Sequence, residues 1–111
     1  MISYKEFQKL DIRIGKVIEC EEVPNSDNLY KLSVDVGEET PRIILSGIRK
    51  WYDPVDLEGE LITVLLNLKP RKIFGIKSNG MLLAADVNET AVLIKPEKKE
   101  NQPIVSGSRI E

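Results

Sequence analysis

Alternation of apolar and polar residues dominates this chain. In Leu10–Val23 (LDIRIGKVIECEEV), Ile12, Ile14, Ile18 and Cys20 fall on one parity, and Asp11, Arg13, Glu19 and Glu21 fall on the other. That is the pattern of a strand with one face turned to a core. Gly15 interrupts the run, and a glycine inside a strand commonly marks a bulge or a sharp coil. The turn formers of Pro24–Asn28 (PNSDN) separate it from a second alternating run, Tyr30, Leu32, Val34 and Val36. After Gly37–Pro41, residues Arg42–Ser46 make a third strand. Leu61–Leu66 is an apolar run of strand length, and Met81–Ala85 and Ala91–Lys95 are two more strand-like segments.

Two places break from period two. Ser3-Tyr4-Lys5-Glu6 has the spacing of a capping box and opens a short helix that puts Tyr4 and Phe7 on one face. Ile48, Trp51 and Tyr52 fit a helical turn. Asp53-Pro54-Val55-Asp56 then reads as N-cap, proline at the first helical position and acid at the third, with Gly59 ending the helix. Five or six short strands with a helical insert after the third indicate an all-β protein: an OB-fold, a five-stranded Greek-key barrel, with short helices and a C-terminal extension. A chain of 111 residues supports one domain. Its core is expected over residues 7–95, with residues 96–111 as the extension.

Composition narrows the chemistry. At 41% hydrophobic and 31% charged, the chain has the balance of a soluble globular domain, and only 5% of it is aromatic, so the core is aliphatic. No histidine is present, which removes the commonest general base and metal ligand. The single cysteine, Cys20, rules out an internal disulfide and a Cys-rich zinc site, and its place in a strand makes it a small buried residue rather than a reactive thiol. Phosphate-loop and dinucleotide motifs are missing. No cofactor, metal or catalytic residue is expected, and a binding module fits better than an enzyme. Met1–Leu10 is polar, and Leu61–Leu66 is far too short to span a bilayer, so no membrane association and a cytoplasmic location are expected.

Charge changes the picture more than composition does. The chain is net −2, yet Arg42–Lys77 is net +3, leaving −5 for the rest. The densest part is Asn67–Ala85 (NLKPRKIFGIKSNGMLLAA), which holds Lys69, Arg71, Lys72 and Lys77 and no acid. Pro70 and Gly75 bracket this cluster as a loop between strands, able to present Lys69, Arg71 and Lys72 outward while Ile73 and Phe74 turn inward. Such segregation suits a polyanion, because phosphates feel nearby Lys and Arg within about one Debye length, roughly 8–10 Å. Ser46, Asn67 and Ser78 either hydrogen-bond phosphate and ribose 2′-hydroxyls or cap strand ends. Met81 is either core or an apolar contact to a base or sugar. Trp51 and Tyr52 are placed to pack the helical insert rather than to stack on bases, and Tyr30 belongs to the core.

Three stretches, Phe7–Gly37, Ile44–Glu60 and Asn67–Ala85, occur in an order that resembles the tRNA-binding domain family. That family includes a stand-alone structure-specific tRNA-binding protein, the C-terminal appendage of methionyl-tRNA synthetases, and eukaryotic synthetase cofactors. The resemblance implies an OB-fold that homodimerises and grips tRNA by shape without doing chemistry, serving methionyl-tRNA synthetase free-standing or appended. It puts tRNA on Lys31, Ser46, Asn67, Lys69, Arg71, Lys72, Lys77, Ser78 and Met81. Where the family has a lysine, this chain has Asn28, with Lys31 as the nearest substitute, and Lys77 stands where an acid is usual. Dimer contacts are implied for Phe7 and for Pro103–Ile110. A secretion-chaperone family shares the fold, so a peptide-binding module is the alternative.

Overall fold

The computed structural model describes all residues, Met1–Glu111. Helix α1 (Tyr4–Phe7) begins as its sequence dictates: Ser3 Oγ accepts from the Glu6 N–H at 3.1 Å, and Glu6 Oε1 accepts from the Ser3 N–H at 3.2 Å. Strand β1 (Ile12–Glu22) is long enough to serve two neighbours. Its C-terminal half pairs antiparallel with β2 (Tyr30–Asp35), and its first five residues pair with β4 (Leu61–Leu65). Strand β3 (Arg42–Ser46) lies on the far side of β2, and α2 (Pro54–Leu57) connects β3 to β4. Asp56 Oδ2 accepts from the Asp53 N–H at 3.0 Å at the start of α2, and Gly59 follows the helix at φ +85°.

Beyond β4 come three antiparallel elements: the hairpin β5 (Arg71–Ile73) and β6 (Ile76–Ser78), then β7 (Met81–Leu82), which pairs with β4. A second hairpin, β8 (Ala84–Val87) and β9 (Thr90–Leu93), follows. The main sheet has the order β3-β2-β1-β4-β7 and curls until its ends meet. There the Asn79 N–H donates to Ile43 O at 2.8 Å, and Ser78 Oγ accepts from the Leu45 N–H at 3.0 Å. The result is the expected OB-fold, a nearly closed five-stranded barrel with a helix between its third and fourth strands. No helix is long and apolar enough to cross a membrane.

The core is aliphatic, built on Leu32, Ile44, Leu57, Ile62 and five valines that are almost fully buried. In β1 the apolar parity misleads. Ile12 and Ile14 share a face with Lys16, whereas Gly15 and Val17 face the barrel, opposite the core residues Ile62 and Val34. A Cβ on Gly15 would lie 2.6 Å from Val34 Cγ1, so only glycine lets the strands approach this closely. The interruption in the pattern is therefore itself a core position. The register shifts once, between Val17 and Glu19, which leaves Ile18 as the extra residue, half exposed, and returns Cys20 to the core. The expected bulge is real but lies three residues beyond the glycine, and Ile18 is corrected from core to surface.

The extension is in part a strand partner. Gly107, Ser108 and Ile110 make backbone hydrogen bonds of 2.7–2.8 Å to Ile12 and Ile14 along the edge of β1 that β2 leaves free. This brings Arg109 and Ile110 beside Tyr4, Phe7 and Leu10 of the N-terminal segment, around a small surface cavity of about 150 Å³. The segment Ile48–Trp51 forms a hydrogen-bonded turn, Trp51 N–H to Ile48 O at 3.0 Å, rather than a helix. Ile48 is buried and Tyr52 packs on the core, its hydroxyl accepting from the Leu93 N–H at 3.1 Å, while Trp51 is more than one-third exposed. Tyr30 is core, and its hydroxyl donates to Tyr52 O at 2.7 Å.

Candidate nucleic-acid interface

The basic cluster around Lys69–Lys77 is a hairpin, not a loop. Phe74 and Gly75 form its two-residue turn, with φ of +50° and +78°. Two positive φ values are what a tight hairpin needs to match the twist of its strands. The cross-strand pairs are Arg71 with Ser78, Lys72 with Lys77, and Ile73 with Ile76. Alternation therefore sorts the hairpin into two faces. Ser78 is buried and the two isoleucines are half-buried on the barrel side, whereas Lys72 and Lys77 project together on the other. Phe74 does not turn inward: as a central turn residue it is 58% exposed at the tip.

Lys72 directly opposite Lys77 is the clearest electrostatic feature. Like charges in that position destabilise a strand pair, and neither lysine forms an ion pair. The ion pairs lie elsewhere: Asp11–Arg13, Glu38–Arg42, Glu22–Arg49 and Lys95–Glu60. Two cations of the positive window are thus already occupied. Arg42 clasps Glu38 with two bonds of 2.8 and 2.9 Å and also donates to Leu66 O at 2.9 Å. This holds the Glu38 carboxyl below its ordinary value. Arg49 binds Glu22 at 2.7 Å and the Ser26 carbonyl. Lys50, Lys69, Arg71, Lys72 and Lys77 remain exposed and free of acid partners, the last four clustered at the hairpin.

Beneath the hairpin is a cavity of about 80 Å³ where Lys69 and Arg71 meet Leu45, Leu68, Ile73 and Met81. Met81 is 44% exposed here, so it is available for contact rather than core. Ser78 also lines this cavity, but its hydroxyl is engaged. It accepts from the Leu45 N–H and donates to Gly80 O at 3.4 Å, taking the place of a backbone acceptor where the barrel closes. Asn67 is likewise committed. Its Oδ1 accepts from the Asp11 N–H at 2.8 Å, and its Nδ2 donates to Lys9 O at 2.6 Å, fixing the entry into β1.

The remaining candidates lie farther from the hairpin. Lys31 pairs with Leu45 across β2 and β3, and so shares its outward face, but on its other side it pairs with Glu21. Glu21 in turn pushes the Glu19 carboxyl up through a hydrogen bond and charge repulsion, so Lys31 stands at the border of an acidic patch. Ser46 pairs with the core residue Tyr30 and has the opposite parity from Lys31 and Leu45. Cys20 offers no nucleophile, because burial pushes its thiol up to about 11. The structure thus gathers Lys69, Arg71 and Met81 around the cavity, sets Lys72 beside Lys77 on the hairpin's other face, places Ser78 and Asn67 as supports, and separates Ser46. Sequence reasoning missed Phe74, Leu45 and Leu68. A Phe-Gly pair between two short alternating runs was the available signal for the first.

A family model described as "Putative tRNA binding domain" matches residues 12–104. The methionine–tRNA ligase of Archaeoglobus fulgidus is 53% identical over 98% of this chain, and that of Thermococcus kodakarensis is 45% identical over 98%. The chain spans only 16% and 14% of those two proteins. Among solved structures, a protein described as related to methionyl-tRNA synthetase from Pyrococcus horikoshii superimposes with a TM-score of 0.84 at 32% identity, covering 100% of this chain and 98% of that one. The chaperone CsaA of Bacillus anthracis gives 0.83 at 31%, covering 100% and 99%.

Proposed function

The chain belongs to the family of putative tRNA-binding domains, and we propose that it binds tRNA by shape and charge, as a module without catalysis of its own. The observation that carries this reading is the β5–β6 hairpin, whose three exposed cations, with Lys69 just before it, are free of acid partners, two of them directly opposed, on a chain of net −2. Opposed lysines cost stability in the free protein and gain it when a phosphate lies between them. Lys69, Arg71, Lys72 and Lys77 make the phosphate contacts, and Lys31 adds one at the edge. Met81 gives an apolar contact to sugar or base. Ser78 and Asn67 act by holding the hairpin and the β1 entry in place, and Ser46 acts at most from the neighbouring strand end.

The resemblance to methionine–tRNA ligases over 98% of this chain supports a role in tRNA retention for that enzyme, either appended to it or free-standing in the cytoplasm. A homodimer through α1 and the 103–110 tail would give two hairpins for one tRNA, and paired sites raise avidity through effective concentration. The likeness to CsaA favours a second reading, capture of extended apolar peptides. Both are separated by one experiment: binding of folded tRNA, duplex RNA and unfolded peptide by the parent and by Lys69→Glu/Arg71→Glu/Lys72→Glu, with sedimentation to fix oligomeric state. tRNA binding lost in the variant, with an unchanged circular dichroism spectrum, supports the proposal. Peptide binding that survives the reversal, with no tRNA binding by the parent, overturns it.

A further inference from the structure

The hairpin tip carries an aromatic ring that neither the barrel nor the turn requires. Phe74 is 58% exposed and holds φ +50°, a conformation that Asn, Asp or Gly adopts readily and a bulky side chain does not. It packs in no part of the buried core. Lys72 lies two residues before it, about 7 Å along the strand, Lys77 is the cross-strand partner of Lys72, and no carboxylate lies anywhere between Asn67 and Ala85. An exposed aromatic ring among unpaired cations is the arrangement that takes a single-stranded nucleotide, with the base on the ring and the phosphate on the ammonium groups.

We propose that Phe74 stacks on an unpaired base of the bound RNA, so that the hairpin distinguishes loops and splayed ends from regular duplex. Bases inside an A-form duplex offer no free face to a side chain, whereas loop bases do. This rests on the tRNA-binding reading and adds to it a specificity-determining residue: the cations fix the backbone, and the ring selects where along the RNA they settle. The turn is strained for phenylalanine in the free protein, and Phe74→Asn relieves that strain, so loss of binding in this variant cannot come from loss of fold.

The test compares labelled tRNA, a stem-loop RNA and a blunt duplex of equal length at one salt concentration. Proteins are the parent, Phe74→Asn, Phe74→Leu, and Phe74→Trp in a Trp51→Phe background. Phe74→Asn should melt no lower than the parent and bind tRNA and stem-loop roughly 5- to 150-fold more weakly, the range for losing one stacked base. Duplex affinity and the salt dependence should be unchanged. Phe74→Trp should keep its affinity and lose fluorescence on binding the stem-loop but not the duplex. Parent-like affinity of Phe74→Asn or Phe74→Leu for the stem-loop overturns the stacking role, as does an equal loss on duplex. Failure of the parent to bind any RNA overturns the tRNA reading itself, and this inference with it.

Discussion

Replacing Ser78 with alanine separates support from contact at the interface. The Ser78 hydroxyl is buried, accepts from the Leu45 N–H at 3.0 Å and donates to Gly80 O at 3.4 Å. Its removal leaves the Leu45 N–H without an acceptor in a buried strand, and such an unsatisfied donor costs about 1–3 kcal/mol. The bond to Gly80 is long and adds little. For a domain near 100 residues, each kcal/mol lowers the melting temperature by about 4–8 °C, so Ser78→Ala should melt at least 4 °C below the parent. The opening should be local. Amide exchange at Leu45 and Asn79 should accelerate, because these are the groups that close the barrel between β3 and the β6–β7 segment. Scanning calorimetry and exchange by NMR measure both. An unchanged melting temperature together with weakened tRNA binding would refute the reasoning, since the hydroxyl would then be a ligand contact.

Three further outcomes follow from particular contacts. Lys72→Glu puts opposite charges across the hairpin from Lys77 and should stabilise the fold by about 0.2–1 kcal/mol in urea titration while weakening tRNA binding; lower stability would contradict the repulsion argument. Gly15→Ala forces a Cβ to 2.6 Å from Val34 Cγ1 and should cost about 1–3 kcal/mol, with partial rescue in Gly15→Ala/Val34→Ala; a single variant as stable as the parent would show that β1 and β2 part freely. The Glu38 carboxyl is held below its ordinary 4.5 by Arg42, so the stabilisation is present above that value and is lost as pH falls through the depressed one. Glu38→Gln should be less stable than the parent by about 0.5–1 kcal/mol at pH 7, and the gap in melting temperature should close as pH drops below 4.5; a constant gap would assign the effect elsewhere.

The barrel was legible because most of its strands alternate and its turns carry their own residues. Tyr30–Asp35 and Arg42–Ser46 emerged almost to the residue, and both helix starts followed from their caps. β1 was misread because its inward positions are occupied by Gly15 and Val17, and glycine has no hydrophobicity to register on a pattern. Periodicity also cannot see a one-residue bulge, which is why Ile18 changed faces. The hairpin at Arg71–Ser78 was hidden by its brevity: three residues per strand give one alternation each, and a phenylalanine in a turn reads as core.

Charge was visible in the sequence, but its availability was not. Arg42, Arg49 and the free lysines look alike along the chain, and only the fold pairs the first two with Glu38 and Glu22. Side-chain amides and hydroxyls have the same difficulty. Asn67 and Ser78 serve backbone groups 56 and 33 residues away, distances over which sequence spacing carries no information.

Salt dependence of tRNA affinity reads the phosphate grip itself. Each phosphate neutralised on duplex-like RNA releases counterions, and three to five contacts from Lys69, Arg71, Lys72, Lys77 and Lys31 give a slope of log Kobs against log[salt] of about −2 to −4 per domain. Titration of the parent from low to physiological salt should give that slope, and Lys72→Glu/Lys77→Glu should reduce it by about 2 while the fold persists. A slope near zero in the parent, or the same slope in parent and variant, would contradict the claim that this hairpin grips the phosphates.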